Sequence, residues 1–161
     1  MKIDIVDRQF LKRKSRKEWI ELFDGCRVIS IRSSDGEDAT FPVPAGVRPH
    51  DNLLCLTFDD STGLDDWPGH ELPVLFSAGE ARRIADFVRD DSLPLVVQCT
   101  AGISRSGAIG VALDEFYNLR DNRNMADHAL FIALNAQILP NPLVLRLMRD
   151  ELSKPRPSFP A

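Results

Sequence analysis

Two short apolar runs constrain the fold of this chain more than any other feature. Residues 53–58 and 95–97 are both of strand length and are almost continuously apolar. A strand that is apolar on both sides must be covered on both faces, which is typical of parallel sheets between layers of helices. Segments with apolar residues at helical spacing alternate with these runs. The pattern therefore predicts an α/β fold with a mostly parallel central sheet flanked by helices.

Local signals predict where the other elements begin. Ser15 and Ser77 are each followed three residues later by glutamate, the capping-box pattern of a helix start. Asn141 before Pro142 is a good N-cap and first position for a last helix. A further helix from Met125 is apolar enough to be largely buried. The expected strands are 3–6, 28–31, 53–58 and 95–97, and the expected helices end near 25, 89, 119, 138 and 152.

Length and composition indicate one domain. A chain of 161 residues with 43% hydrophobic residues is ordinary for a globular domain. The net charge of −4 gives no general attraction to nucleic acid or to membranes. Three widely spaced cysteines form neither a metal pattern nor a disulfide framework, which favours a cytoplasmic location. We expect the globular domain over residues 1–152 and a flexible, proline-rich tail over residues 153–161.

The segment after the fourth strand carries the groups needed for chemistry on a phosphate ester. Five residues separate Cys99 from Arg105, and Ser106 follows. A strand–loop–helix unit points backbone N–H groups and the positive end of the helix dipole at one spot, where a phosphate dianion or a thiolate is stabilised. Arg105 can present two parallel donors to two phosphate oxygens. Ser106 can donate a hydrogen bond to the sulfur when the phosphate leaves.

Other interpretations of this loop fit the residues less well. Gly102 and Gly107 have the spacing of a nucleotide-binding P-loop, but Ala108 stands where lysine is required. A serine-hydrolase elbow requires glycine at position 106, which is serine here. A buried structural thiol is a third alternative. The arginine, the serine and the two glycines, which we expect to adopt conformations that other residues resist, argue against it.

This segment resembles the phosphate-binding loop of the cysteine-dependent protein tyrosine phosphatases, pattern Cys-x5-Arg-Ser/Thr, and most closely that of the compact dual-specificity branch. The resemblance is specific over residues 96–107 and extends as an order of elements over about residues 28–120. It implies a protein tyrosine phosphatase-like fold and a cysteinyl-phosphate intermediate, without a metal or an organic cofactor. The residues that it implies as the phosphate-binding loop are Thr100, Ala101, Gly102, Ile103, Ser104 and Arg105.

One residue of this segment departs from the family pattern. Most members have histidine directly before the cysteine, where this chain has Gln98. Glutamine can hydrogen-bond to the backbone, but it cannot become cationic. We expect Gln98 to support the loop and to favour the Cys99 thiolate less than histidine does, without loss of activity.

The resemblance also implies a general acid, an aspartate on the loop beyond the third strand. Such an acid contributes about 10²–10⁴-fold to the rate. In dual-specificity relatives it follows the last apolar residue of the strand by one or two positions, which favours Asp60 and then Asp59. Asp65 and Asp66 lie at a distance from the cysteine that is more usual in the family. They also adjoin a Trp-Pro pair like that of the family's Trp-Pro-Asp loop.

The resemblance implies an enzyme that hydrolyses phosphotyrosine in proteins, with possible dual specificity. Its expected partner is a phosphorylated protein or peptide. The residues between Cys99 and Arg105 include no lysine, which disfavours polyanionic phosphoinositides. Two alternatives stay open: a non-catalytic phosphoprotein-binding module, and a thiol enzyme like rhodanese or arsenate reductase. The late position of Cys99 and the serine after Arg105 count against the thiol enzyme.

Overall fold

The computed structural model describes residues 1–35, 41, 51–63, 72–90 and 92–155. Within them the strands are β1 (Ile3–Val6), β2 (Arg27–Arg32), β3 (Leu53–Thr57) and β4 (Leu95–Gln98). They form one sheet in the order β1-β4-β2-β3, and every pairing between neighbours is parallel. The sequence prediction of a mostly parallel central sheet is confirmed.

Six α-helices accompany these strands in the part of the chain that the structure describes. Capping boxes begin two of them, at Ser15 and Ser77 as predicted, and the Asn141 side chain caps the last. A short first helix, capped by Asp7, was not predicted. The helices are α1 (Arg8–Lys12), α2 (Arg16–Gly25), α3 (Ala78–Phe87), α4 (Arg105–Asp114), α5 (Met125–Leu134) and α6 (Pro142–Ser153).

The sheet separates two hydrophobic clusters. Val28 and Val96 belong to a smaller cluster with Trp19 and other residues of α1 and α2. Ile29 and Val97, their neighbours along the same strands, belong to the larger cluster, which includes residues of α3, α4 and α6. Successive side chains of a strand point to opposite faces, so helices cover the sheet on both sides. This explains why the strands are nearly continuous apolar runs.

The prediction of a largely buried helix over residues 125–138 is wrong in burial and in length. Phe131 is the buried residue of α5, whereas Ile132 and Leu134 are more than half exposed at 57% and 56%. The helix ends at Leu134, and Asn135 is its C-cap. The backbone N–H of Asn135 makes a last helical bond to the Phe131 carbonyl at 3.1 Å, and its side-chain amide donates to the same carbonyl at 2.8 Å. Residues 135–141 then connect α5 to the start of α6.

The helix after the loop and the C-terminal residues were also the subject of predictions. The helix expected to reach residue 119 is α-helical to Asp114 and continues as a π-helical turn over Glu115–Leu119. Residues 156–161 lie outside the described residues, so the flexible tail and the boundary at residue 152 stay predictions. Among the residues that the structure describes, no helix has the length and the apolar character needed to cross a membrane.

Candidate active site

The loop after β4 lies at the carboxyl edge of the sheet, between β4 and α4. Since β4 pairs with β1 on one side and β2 on the other, this loop sits near the middle of that edge. In parallel α/β sheets this is the usual position of a ligand site. The backbone N–H of Arg8 donates to the Thr100 carbonyl at 3.2 Å and so ties the loop to the start of α1.

The two glycines of the loop segment serve different purposes. Gly102 has a φ of +66°, and a Cβ there would lie 2.8 Å from the Val6 carbonyl carbon. Both the conformation and the close approach require glycine. The expectation of a special conformation at Gly107 is wrong, because this residue lies inside α4 without a positive φ. A Cβ there would lie 2.7 Å from Ile138 Cγ2, so Gly107 gives room to the segment after α5.

Replacement of Gly102 by alanine is expected to distort the loop. The added methyl group meets backbone atoms of β1, which cannot move aside as a flexible side chain would. We expect a loss of about 1–3 kcal/mol in the free energy of unfolding, because strain and overpacking combine. Urea unfolding and the affinity for inorganic phosphate measure the two consequences. Gly79→Ala, at a helical position with ordinary space, is the matched control, and equal phosphate affinity of Gly102→Ala and wild type would contradict the prediction.

Cys99 lies at the floor of a cavity of about 420 Å³ and is 2% exposed. Its Sγ is 3.0 Å from the Oγ of Ser106, which is fully buried in the first turn of α4. A hydroxyl at this distance can donate to a thiolate. The cavity is lined by Ser33, Asp60, Cys99, Thr100, Ala101, Ile103, Ser104 and Arg105.

Arg105 is 4% exposed, and hydrogen bonds fix its guanidinium at the cavity wall. One terminal nitrogen, Nη1, donates to the Phe58 carbonyl at 2.8 Å and to Ser33 Oγ at 3.1 Å. The other, Nη2, donates to Thr100 Oγ1 at 2.8 Å. Among the described residues its buried Nε–H has no acceptor. The guanidinium thus links the end of β3 to the loop and retains a donor for an oxyanion.

The carboxyl group of Asp60 also faces this cavity. Its Oδ1 accepts a hydrogen bond from Ser104 Oγ at 2.7 Å and another from Asn141 Nδ2 at 2.9 Å. Asp60 is exposed. The structure therefore brings together three residues that the sequence singled out: Cys99, Arg105 and Asp60.

Asp59 does not line the cavity that contains Cys99, and its carboxylate is bound within the fold. Its carboxylate accepts from the backbone and hydroxyl of Ser34, at 2.8 and 2.6 Å, and from the Val74 N–H at 2.8 Å. Partial burial opposes ionisation, but these hydrogen bonds and the charge of Arg105 outweigh it and lower the pKa of Asp59. Of the four acid candidates, Asp65 and Asp66 lie outside the described residues.

The lowered pKa of Asp59 predicts a pH-dependent contribution to stability. Since the folded-state pKa lies below its unfolded value, the carboxylate stabilises the fold above the unfolded value, and this is lost as pH falls through the folded pKa. Asp59→Asn should therefore be less stable than wild type at pH 7, with a difference that shrinks below the ordinary value of 3.8. Urea unfolding over a pH series measures it. Asp51→Asn, at an exposed position, is the control, and a constant Asp59→Asn difference down to strong acid would contradict the prediction.

Gln98 is fully buried beneath the loop. Its Oε1 accepts from Ser30 Oγ at 2.8 Å, across the paired strands β4 and β2. Its Nε2 has no acceptor among the described residues. The sequence analysis missed Ser30, Ser33 and Asn141 as neighbours of the site. The capping pattern identified Asn141, but nothing in that pattern indicates what its amide contacts.

A second cavity of about 360 Å³ adjoins the first and shares Ser33, Asp60 and Arg105 with it. Two further carboxylates line it, Asp35 and Asp59. Within the described residues no group of three histidine, cysteine or carboxylate side chains is arranged to hold a metal ion. Cys99, the Arg105 guanidinium and the Asp60 carboxyl group line one cavity, and a guanidinium beside a thiol is an arrangement that can hold an oxyanion.

Comparison with known proteins identifies the fold. No protein-family model matches the sequence, and no curated protein is significantly similar to it. The crystal structure of human tyrosine phosphatase-like serine/threonine/tyrosine-interacting protein is similar with a TM-score of 0.58 at 16% identity, over 92% of this chain and 89% of that chain. A crystal structure of PTPMT1 in complex with PI(5)P is similar with a TM-score of 0.51 at 15% identity, over 94% and 90%. The chain therefore has the protein tyrosine phosphatase-like fold that the resemblance of its phosphate loop implies.

Proposed function

We propose that this chain is a cysteine-dependent phosphatase of the dual-specificity type, with residues 1–152 as its catalytic domain. The observation that carries the proposal is the convergence of Cys99, Arg105 and Asp60 on one cavity, with Ser106 Oγ 3.0 Å from the Cys99 sulfur. Each of these side chains matches a step of phosphate ester hydrolysis. The fold is similar to that of a tyrosine phosphatase-like protein, which supports the same proposal.

In the first step the Cys99 thiolate attacks phosphorus, and the bond from phosphorus to the leaving oxygen breaks. The loop amides and the Arg105 guanidinium hold the other phosphate oxygens and stabilise their charge in the transition state. The buried Nε–H of Arg105 gains an acceptor from such an oxygen. Asp60 in its protonated form donates its proton to the leaving oxygen.

In the second step water attacks the phosphorus of the cysteinyl-phosphate, and the sulfur–phosphorus bond breaks. Asp60, now ionised, accepts a proton from that water. Ser106 donates a hydrogen bond to the departing thiolate, for which its hydroxyl is already within 3.0 Å. Inorganic phosphate is released. The residues at hand supply a nucleophile, an acid–base group and oxyanion donors, so we propose a reaction without a metal or an organic cofactor.

The role of Asp60 predicts a dependence on the leaving group. Phenol needs a proton far more than p-nitrophenol does, because its oxyanion is the stronger base. We therefore expect Asp60→Asn to lower kcat/KM for phenyl phosphate about 10²–10⁴-fold, and for p-nitrophenyl phosphate much less. Asp59→Asn is the matched control, since its carboxylate is engaged by Ser34 and Val74. If Asp60→Asn and Asp59→Asn lose the same factor in kcat/KM, and lose it equally for phenyl phosphate and p-nitrophenyl phosphate, the general acid is another residue. Asp65 and Asp66 are then the next candidates.

The charge around the site supports one substrate class over another. Asp35, Asp59 and Asp60 line the cavity next to Arg105, and the loop residues from Thr100 to Ser104 are uncharged. PTPMT1 has been crystallised with PI(5)P, but carboxylates at this position repel the additional phosphates of such a lipid. We therefore propose phosphotyrosine in proteins as the substrate, with dual specificity as an extension. A cytoplasmic location fits the free state of Cys26, Cys55 and Cys99.

The direct test is to trap the intermediate. Wild-type protein is mixed with phenyl phosphate and quenched in acid within milliseconds, and peptides are analysed by mass spectrometry. We expect one phosphoryl group on the peptide that contains Cys99, and more of it in Asp60→Asn when p-nitrophenyl phosphate is the substrate, because the second step slows. Turnover without a phosphorylated Cys99 would contradict the proposed mechanism. Binding of a phosphotyrosine peptide without any turnover would instead favour the non-catalytic binding module.

A further inference from the structure

We propose that Asn141 is a positioning residue that sets the orientation of the Asp60 carboxyl group and so which of its oxygens carries the proton. The inference rests on the proposed function, in which Asp60 is the general acid. Asn141 precedes α6 and lies 81 positions after Asp60 in the chain. It is 4% exposed, so its side chain is held inside the fold rather than in solvent.

Both ends of the Asn141 amide are used. Its Oδ1 accepts from the backbone N–H groups of Leu143 and Val144, at 3.0 and 3.1 Å, which is the ordinary work of a helix cap. Its Nδ2 donates to Asp60 Oδ1 at 2.9 Å and to the Ser61 carbonyl at 3.3 Å. A cap requires the acceptor alone, so serine or aspartate would serve the helix equally well. The contact with Asp60 requires the amide nitrogen.

The backbone of Asn141 is also tied to the phosphate loop. Its N–H donates to the Ser104 carbonyl at 3.3 Å, while the Ser104 hydroxyl donates to Asp60 Oδ1 at 2.7 Å. The three residues therefore form a closed set of contacts, in which the start of α6 holds both the loop and the acid. A shift of α6 would move Asp60 relative to Cys99.

The two donors act on one oxygen of the carboxyl group. Ser104 and Asn141 both bind Oδ1 of Asp60, and Oδ2 has no partner among the described residues. A protonated carboxyl group carries its hydrogen on one oxygen, and two donors already occupy Oδ1. The proton is thereby directed to Oδ2, which is free to meet the leaving oxygen of a substrate.

Replacement of Asn141 by aspartate separates the two functions of this residue. The variant keeps a cap acceptor of equal quality, but it places a second carboxylate against Asp60 where the amide donor was. Among the residues that the structure describes, the charged or titratable groups that line the cavities around Asp60 are Cys99, Arg105, Asp35 and Asp59. None of them is altered by the substitution, so a change in the titration of activity reports the new pair of carboxyl groups.

The experiment measures kcat and kcat/KM for phenyl phosphate across pH in wild type, Asn141→Asp and Asn141→Ser. We expect the alkaline limb, which reports loss of the acid's proton, to move up by about one pH unit or more in Asn141→Asp. In Asn141→Ser, which caps the helix but lacks the amide, we expect kcat to fall about tenfold or more with little change in KM. Ser15→Ala is the matched control, because it removes a helix cap that has no contact with Asp60. It should lose thermal stability and keep the wild-type profile.

The outcomes separate this inference from the proposed function. Turnover that depends on Cys99 and Asp60, with an Asn141→Asp profile equal to that of wild type, would overturn the positioning role and leave the phosphatase intact. The same holds if both Asn141 variants change only in thermal stability, as Ser15→Ala does. Absence of Cys99-dependent turnover in the wild type would overturn the function and the inference together.

Discussion

Cys99→Ser is expected to lose at least about 10⁴-fold in turnover of phenyl phosphate, because serine cannot supply a thiolate. A serine hydroxyl keeps its proton at neutral pH unless a base removes it. The nearest side-chain partner of the sulfur is the Ser106 hydroxyl, which is no base. The loss concerns the nucleophile alone, since oxygen and sulfur are close enough in size for the loop to keep its shape.

The other two cysteines provide matched controls for this prediction. Burial raises the pKa of Cys26 and of Cys55, so both are thiols at neutral pH and lack nucleophilic character. Cys26→Ser and Cys55→Ser should retain wild-type turnover. Titration of wild type with iodoacetamide at neutral pH should alkylate Cys99 first and abolish activity in step with that single modification. Prior alkylation of Cys55 with loss of activity would contradict this assignment.

Binding should survive in Cys99→Ser, and this separates the two halves of the site. The amides of the loop and the Arg105 guanidinium do not depend on the sulfur. A serine variant should therefore bind a phosphotyrosine peptide with an affinity similar to that of wild type, measured by calorimetry. Full turnover in Cys99→Ser would exclude the cysteinyl-phosphate mechanism. It would also show that the cavity serves another chemistry.

The fold was predictable because its signals are local. Each signal depends on a few neighbouring residues: the apolar runs predict strands, and the two capping boxes and the Asn-Pro pair before α6 predict helix starts. The structure confirms all of them. The burial of α5 was not predictable in this way. Apart from Asp127 and His128 its residues are apolar, so the sequence does not indicate which of them is buried. In the structure Phe131 is the one buried residue of this helix.

In the candidate site, too, the residues that are close in sequence were predictable and the contacts between distant segments were not. Cys99, Arg105 and Ser106 lie within eight consecutive residues, so their spacing alone predicts that they share one loop. Contacts between distant segments left no such signal. Asp59 and Asp60 are adjacent in sequence, yet Asp59 binds Ser34 whereas Asp60 lines the cavity that contains Cys99, a difference that depends on tertiary hydrogen bonds.

Long-range partners also explain the residues that sequence analysis missed. Ser30 meets Gln98 because β2 and β4 pair in a register that brings these residues side by side. Asn141 meets Asp60 because α6 begins against the loop. In both cases a short polar side chain forms a specific contact across more than 60 positions of sequence. Neither residue type nor local pattern distinguishes such a side chain from an ordinary surface or capping residue.

Arg105→Lys is the second substitution expected to have a very large effect, with a loss of about 10³-fold or more in kcat/KM for a phosphotyrosine peptide. The guanidinium is held by three hydrogen bonds from two nitrogens, to Ser33, Phe58 and Thr100. Lysine carries one nitrogen on a flexible stem and cannot reproduce a planar fork. It therefore loses the donors that stabilise the transition state and also the link between β3 and the loop.

The control for this variant is Arg83→Lys, which changes an arginine that donates to the Cys55 carbonyl on β3, outside both cavities of the site. It should leave kcat/KM within about twofold of wild type, because a single exposed contact contributes little. Since Arg105 is buried, Arg105→Lys should also lower the free energy of unfolding by about 1–3 kcal/mol, as buried acceptors lose their donors. Activity measured well below the unfolding transition separates the two effects. If Arg105→Lys keeps kcat/KM within tenfold of wild type there, a positive charge suffices at this position, and the oriented fork of the guanidinium is not what stabilises the transition state.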